Sequence, residues 1–244
     1  MRNVGLILRR ELASYFATPL AYVFILIFLV LANAFAFYLG GFYERGQADL
    51  ASFFSFHPWL YLFLIPALSM RLWAEERKSG TVELLMTLPV SLKDAVLGKF
   101  LAAWLFTALA LALTFPLWIT VNVLGRPDNG AILAAYLGSL MLAGGFLAIG
   151  SCMSALTRNQ VVAFILAVVA CFAFLLAGFP IVLDAFRAWA PAAVVDAIAS
   201  LSFLTHYESI AKGVIDVRDL LYFAMLATFF LLATGIALEL RKAD

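Results

Sequence analysis

Charged residues are scarce in this chain. Asp, Glu, Lys and Arg make up 13% of its 244 residues, whereas 65% are hydrophobic and the formal net charge is +1. The mean hydropathy is +1.03. Because the core of a soluble domain does not need so much apolar sequence, the composition indicates a polytopic membrane protein. The balanced charge provides no electrostatic basis for binding nucleic acid or acidic substrates.

Cysteine and histidine are equally scarce, with two residues of each. Cys152 and Cys171 fall inside apolar stretches, where cysteine behaves as a small hydrophobic residue, so we predict no disulfide. His206 and Glu208 are too few to form a metal site. We therefore predict that the chain binds no metal, and that His206 has a surface or capping role.

Ionisable residues are also missing from the interior of six apolar stretches, which run over 20–41, 58–73, 95–124, 131–156, 161–183 and 220–238. Since ~20 apolar residues cross the hydrocarbon core as a helix, we predict an all-α polytopic fold with six transmembrane helices over residues 20–244. The second stretch is short, and Pro66 is expected to bend it. None of the six holds an Asp, Glu or His well inside, which argues against a proton- or sodium-driven carrier and against an intramembrane protease.

A phosphate-binding loop of the form G-x-x-x-x-G-K-[ST] is absent as well. We therefore predict that the chain has no catalytic site and is not an enzyme. If it performs uphill work, a separate polypeptide must supply the ATP chemistry.

The longest charged segment between two apolar stretches is 75–90, which we interpret as a short amphipathic helix on one face of the membrane. Gly80 provides a turn, Thr81 is an N-cap candidate, Glu83 lies in the first turn, and Pro89 ends the helix. The other residues that we assign to this segment are Glu75, Glu76 and Arg77 at its start and Leu84, Leu85 and Leu88 on its apolar ridge. The segment suits contact with a second protein, and equally a loop resting on lipid headgroups.

Residues 1–19 have the pattern of an interfacial helix. Apolar residues, among them Tyr15, recur at helical spacing, while Arg9, Arg10 and Glu11 lie around the other side. Thr18-Pro19 forms the elbow into the first span. Arg10 and Glu11 are candidates to meet the partner of segment 75–90, or they anchor the helix among headgroups, which is the role we predict for Arg9.

The distribution of Lys and Arg predicts the orientation. With the N-terminus inside, eleven of these residues fall in inner segments and five in outer segments. This excess places both termini and segment 75–90 in the cytoplasm. The outer segment 184–219 is apolar enough to form short helices that cap the bundle or dip into the interface.

Small and amide residues within the spans predict helix contacts. Asn33 and Asn122 are the most polar residues at depth and are expected to bridge helices. The fourth stretch is rich in small residues, namely Gly138, Ala143, Gly144, Gly145, Ala148, Gly150 and Ser151. These favour close helix packing, including packing across a dimer interface.

Three blocks of sequence resemble the ABC-2 type transporter permeases. They are 9–22, which contains Arg-Arg-Glu-Leu and Tyr-Phe-Ala-Thr-Pro-Leu-Ala-Tyr; 75–99, which contains Glu-x-x-x-x-Gly-Thr-x-Glu and Gly98-Lys99; and 202–223, which contains His-Tyr-Glu-Ser-Ile. The resemblance covers the whole chain, and the block at 75–83 is its most specific part. The closest likeness is to the branch of gliding-motility permeases and of the permease used in nitrous-oxide reductase maturation.

This resemblance implies a fold like that of type V exporters, with six transmembrane helices, a connecting helix at 1–19, a coupling helix at 75–90 and an outer re-entrant segment at 184–219. It implies two ATP-binding subunits that hold the ATP and Mg, a second permease that is identical or homologous, and no cofactor on this chain. It leaves room for a periplasmic or membrane-anchored auxiliary subunit. The implied location is the bacterial inner membrane, and the implied direction is export.

Two readings of function remain open from the sequence. The first is a permease subunit that couples ATP hydrolysis in a partner to substrate movement. The second is a membrane anchor that transports nothing and passes ATP-driven motion to a periplasmic partner. A third reading, a membrane-embedded enzyme, would need an ionisable cluster at depth, and the sequence contains none.

Overall fold

The computed structural model describes residues 2–81, 91–187 and 189–240, and all regular secondary structure among them is helical. The first half contains α1 (Arg2–Phe16), α2 (Pro19–Ala34) with a π-helical continuation (Phe35–Leu39), α3 (Ala51–Ser55), α4 (His57–Ser69) and α5 (Arg71–Ser79). The second half contains α6 (Leu92–Ala112), α7 (Phe115–Leu124), α8 (Asn129–Leu156), α9 (Gln160–Leu176), α10 (Pro180–Arg187), α11 (Ala192–Ser200), α12 (Phe203–Ala211) and α13 (Val217–Leu240). The predicted all-α fold is confirmed for the described residues.

Four helical segments among the described residues are long and apolar enough to cross a membrane: Pro19–Leu39, Leu92–Leu124, Asn129–Leu156 and Val217–Leu240. The pair α9 and α10, bent by 77°, would be a fifth span. The molecule is therefore a multi-pass membrane protein, but the predicted number of six spans is not confirmed. The difference arises at the second apolar stretch, where α4 has only 13 residues and stops at Ser69, three residues after Pro66.

The central element of the bundle is α8, which packs against α3, α4, α5, α6, α9, α12 and α13. Its small residues allow these approaches: Gly138 lies against Ile210, Gly145 against Phe203 and Gly150 against Ser69. A side-chain carbon at Gly150 would lie 2.7 Å from the Ser69 Cβ, so only glycine fits there. These small residues are buried within the chain, where α8 contacts seven other helices; packing across a dimer interface stays a prediction.

The segment 184–219 contains α11, α12 and part of α10. Of these helices, α12 packs on α8 and buries Phe203, Tyr207 and Ile210. The Tyr207 hydroxyl donates to the carbonyl oxygen of Phe54 at 2.7 Å, which fixes α12 to α3. Part of the outer segment is thus core, because its apolar residues recur on one face of a short helix.

The predictions for the two amide side chains had different outcomes. Asn122 at the end of α7 exchanges hydrogen bonds of 3.1 Å with Asn129 at the start of α8, so it does bridge two helices. Asn33 instead donates to the Leu29 carbonyl oxygen of its own helix at 2.7 Å, and among the described residues it forms no bridge to another helix. The second lone pair of a helical carbonyl one turn away is an available acceptor for a polar side chain within an apolar helix.

Candidate functional site at the base of α5

The helix α5 leads from the bundle into segment 75–90, and its first turn is capped by another helix. The Ser154 hydroxyl of α8 accepts hydrogen bonds from the backbone N–H groups of Trp73 (3.1 Å) and Ala74 (3.0 Å). The same hydroxyl donates to the Met70 carbonyl oxygen at 2.8 Å. Trp73 is the third residue of α5, and the first amides of a helix have no partner within it. One buried serine therefore bonds to three backbone groups at the start of α5 and provides the Trp73 N–H with a partner.

Two further bonds join α5 to the same side of α8. The Trp73 indole N–H donates to the Ser151 hydroxyl at 3.1 Å, and the Trp73 side chain is fully buried. The Arg77 guanidinium donates to the Ala155 carbonyl oxygen at 2.7 Å. Ser151, Ser154 and Ala155 are spaced i, i+3 and i+4, so they form one face of α8. These bonds attach α5 to one face of α8.

A buried lysine joins α5 to two other helices. Lys99 of α6 is 4% exposed, and its Nζ lies 2.7 Å from Glu76 Oε1 of α5 and 3.1 Å from Glu11 Oε2 of α1. The ring of Trp73 lies 5.4 Å from the same ammonium group, within cation–π range. A charge removed from water requires such compensation. We call Glu11, Lys99 and Glu76 the ion triad.

The pKa of Glu11 shows the electrostatic effect of its neighbours in the triad. Burial raises the pKa of its carboxyl, but the charge of Lys99 and hydrogen bonds from Arg10 and Lys99 outweigh burial, so the net pKa lies below the ordinary value of 4.5. The second oxygen of Glu76, Oε2, is buried and accepts no hydrogen bond from the part of the chain that the structure describes. Within that part, Lys99 is the cation that pairs with both Glu11 and Glu76.

The far end of α5 is shaped by Gly80. Its φ is +73°, in the left-handed region, and its N–H donates to the Glu76 carbonyl oxygen. Glycine is the usual residue at this position after a helix because it has no Cβ to clash. The Thr81 hydroxyl lies 2.9 Å from the Ser79 hydroxyl and 3.4 Å from the Glu76 carbonyl oxygen. The predicted turn at Gly80 is confirmed.

The remaining residues of the predicted coupling helix, namely Glu83, Leu84, Leu85, Leu88 and Pro89, lie outside the described residues. The predicted N-cap role of Thr81 depends on these residues and stays a prediction. The side chain of Glu75 is half exposed and pairs with Arg71 one turn earlier, at 2.9 Å. Glu76 and Arg77, which we expected to reach a partner, both face the interior of their own chain.

The connecting helix α1 lies along α6. Gly98 brings the two helices together, since a side-chain carbon there would lie 2.8 Å from the Ile7 Cβ. Tyr15 stacks on Phe106 of α6, with ring centroids 5.3 Å apart. Arg10 pairs with Glu11 at 2.9 Å, and Arg9 is exposed. The structure thus brings Glu11, Glu76 and Arg77 to one junction and leaves Arg9 away from it.

Sequence reasoning missed Lys99, Ser151 and Ser154 as residues of this junction. A signal for Lys99 was present, because a lysine within an apolar helix needs a partner when it is buried. No comparable signal exists for the serines, which are indistinguishable from the small packing residues around them. Among residues 2–81, 91–187 and 189–240, no three His, Cys, Asp or Glu side chains are grouped so as to hold a metal ion.

Comparison with known families adds a match over nearly the whole chain. The model of a family described as "ABC-2 family transporter protein" matches residues 8–240, a range that contains the junction and all the helices from α2 to α13. A search of curated proteins found no match. The family match does not separate the gliding-motility and nitrous-oxide reductase branch from other branches, so that finer likeness stays a prediction.

Proposed function

Since the chain belongs to the ABC-2 family of transporter proteins and is the permease subunit of an ABC transporter, we propose that it is an exporter subunit driven through segment 75–90. In this proposal two copies of a cytoplasmic ATP-binding subunit hold the ATP and Mg. They dock on the segment, and this chain has no catalytic site or cofactor. A second permease, identical or homologous, completes the assembly in a bacterial inner membrane, with both termini in the cytoplasm.

The proposed coupling route rests on one observation. Hydrogen bonds from α5 to Ser154, Ser151 and the Ala155 carbonyl oxygen join α5 to α8. Closure of the ATP-binding subunits would push segment 75–90 and tilt α5. Because α8 contacts seven other helices, a shift at its Ser154 end would be distributed through the bundle. Packed cores respond to such a shift by moving between discrete arrangements rather than by bending continuously.

The ion triad would also contribute to this coupling route. Lys99 binds α1 and α5 to α6 at the same level, so the connecting helix would move together with the base of the coupling segment. We propose that Glu76 and Arg77 anchor this base. The ATP-binding subunit would then contact the exposed Gly80 and Thr81 and the residues that follow, Glu83, Leu84, Leu85, Leu88 and Pro89.

The test is co-purification of the tagged chain from mild detergent, followed by mass spectrometry. We expect a soluble ATPase with a phosphate loop to accompany the wild-type chain and to be lost in the variant Glu83→Arg. The matched control is Asp184→Arg, which reverses an exposed acidic residue elsewhere on the chain and should retain the ATPase. A wild-type chain that purifies alone, or equal retention in Glu83→Arg, would refute the docking proposal.

A further inference from the structure

We propose that the cavity between α1, the start of α2, the end of α4 and α5 binds the headgroup of a phospholipid that carries both a phosphate and a primary ammonium group. The cavity has a volume of about 420 Å³, in the range of small-ligand sites. This inference concerns the permease alone and does not depend on the ATP-binding subunit.

The cavity lies where a lipid headgroup would lie, between an interfacial helix and the start of a membrane-spanning helix. One side is formed by the interfacial helix α1, through Ser14 and Tyr15, and by Thr18 at the elbow. Another side is apolar and is formed by Leu20 of α2, Leu68 of α4 and Leu72 of α5. Leu20 is 44% exposed at the start of a membrane-spanning helix. A ligand with a polar headgroup and an apolar tail could therefore place the headgroup among the polar side chains and the tail beside the leucines.

The charges that line the cavity are balanced. Three are basic, Arg10, Arg71 and Lys99, and three are acidic, Glu11, Glu75 and Glu76. Lys99 is already held between two carboxylates, so the cations left for a ligand are the arginines. A balanced lining favours a zwitterion over an anion, since an anionic ligand would leave one carboxylate facing its own negative charge.

The phosphate would be bound by the arginines. Arg71 directs its Nε and one terminal nitrogen to Glu75, at 2.9 and 3.4 Å. A guanidinium has five N–H donors, so three donors of Arg71 remain for phosphate oxygens in a geometry that suits bidentate binding. Arg10 uses one terminal nitrogen on Glu11 and lies at the same cavity, where its other donors are available.

The ammonium would be bound by Glu75. Its side chain is 49% exposed, and an ionised carboxylate has about four acceptor positions, of which Arg71 occupies two. A primary ammonium group donates three hydrogen bonds, whereas a trimethylated ammonium group donates none. The site should therefore distinguish phosphatidylethanolamine from phosphatidylcholine, although both carry the same net charge.

The experiment reconstitutes the purified full chain into nanodiscs of equal parts phosphatidylethanolamine, phosphatidylcholine and phosphatidylglycerol with identical acyl chains. Lipids that stay bound after mild detergent extraction are counted by native mass spectrometry. We expect phosphatidylethanolamine to be retained over the other two by about tenfold, the discrimination expected from a charge-assisted hydrogen bond. Equal retention of the three lipids, or preference for phosphatidylglycerol, would overturn the proposal.

Two test variants, one matched control variant and one competitor make the result specific. The paired change Arg71→Gln with Glu75→Gln keeps the net charge and should bring retention to the bulk ratio, whereas the matched pair Arg187→Gln with Asp184→Asn, an exposed ion pair of the same 2.9 Å length, should retain the preference. Leu20→Trp narrows the apolar side without touching a charge and should also reduce retention. Soluble phosphoethanolamine should displace the lipid only weakly, and binding as tight as that of the lipid would identify a soluble ligand instead.

Discussion

Ser154 and Trp73 are joined across two helices by a backbone hydrogen bond of 3.1 Å from the Trp73 N–H to the Ser154 hydroxyl. The two residues lie on different apolar stretches, so the bond links the base of the coupling segment to the core of the bundle. Trp73 is fully buried and Ser154 is inaccessible to solvent. No water is available there to replace the hydroxyl, which makes Ser154 the residue on which the junction depends most directly.

Removal of this hydroxyl should therefore be costly. In Ser154→Ala, the Trp73 N–H loses its partner, and the Ala74 N–H and the Met70 carbonyl each lose one hydrogen bond. A buried backbone group without a partner costs about 1–3 kcal/mol, so we expect the free energy of unfolding in detergent to fall by roughly 2 kcal/mol. Ser200→Ala, which removes a hydroxyl bound to the carbonyl oxygen of Ala197 at an exposed site, should change it by less than about 0.5 kcal/mol. Equal effects of the two variants would contradict the trans-capping role.

Neutralisation of Lys99 should destabilise the junction in a way that a second change repairs. Lys99→Met removes the buried cation that pairs with Glu76 and leaves Glu11 with Arg10 alone, and it should lower the free energy of unfolding by about 3 kcal/mol, as for other broken buried pairs. Lys93→Met, on the exposed side of the same helix, is the control and should have little effect. The triple variant Lys99→Met, Glu11→Gln, Glu76→Gln should recover part of the loss. A triple variant as unstable as Lys99→Met would show that charge is not the cause.

The ion triad should also make stability depend on pH. Because the pKa of Glu11 is lowered in the folded state, its contribution is fully present above the unfolded value of 4.5 and is lost as the pH falls through the lower folded value. The unfolding midpoint of the wild type should therefore be constant above pH 4.5 and should decline as the pH falls below 4.5. Glu11→Gln should have a lower midpoint near neutral pH and a flatter acid limb. An acid limb identical to that of the wild type would exclude Glu11 as its source.

Substitutions of Gly80 should act through the backbone conformation and not through steric crowding of the new side chain. A Cβ at this position meets nothing within 4 Å, but φ is +73°. We expect Gly80→Ala to cost about 1 kcal/mol and to weaken the ATPase activity of the assembled transporter, and Gly80→Asn to restore most of both, since asparagine tolerates the left-handed region. Gly80→Pro, which cannot adopt this φ, should leave membrane insertion intact and uncouple ATP hydrolysis from transport.

The control for Gly80 is Gly235, whose added Cβ would also meet open space but which lies within α13 at a helical φ. Gly235→Ala should be neutral or slightly stabilising, because alanine favours a helix. A loss of coupling in Gly235→Ala equal to that in Gly80→Ala would mean that the left-handed turn is not what the transporter requires.

Local features of the molecule were predictable from sequence. The apolar stretches, the turn at Gly80 and the interfacial pattern of α1 depend on neighbours within a few residues, so periodicity and composition reveal them. The interruption of the second stretch was visible as Pro66, although the resulting 13 residues of α4 are fewer than expected. The inward direction of Glu76 and Arg77 was not predictable, since the charged end of a helix suits a partner protein and a buried lysine equally well.

The sequence by itself determined that this chain is a helical membrane protein with one charged segment between α5 and α6, because hydropathy and helix-ending residues act locally and the bilayer permits few alternatives. Only the tertiary structure decided what that segment is attached to. Lys99 meets Glu11 and Glu76, and Ser154 caps α5, because packing brings together residues that are distant along the chain. The same packing places the small residues of α8 against other helices of the same chain. Such contacts depend on which helices become neighbours, and no residue pattern within a single helix contains that information.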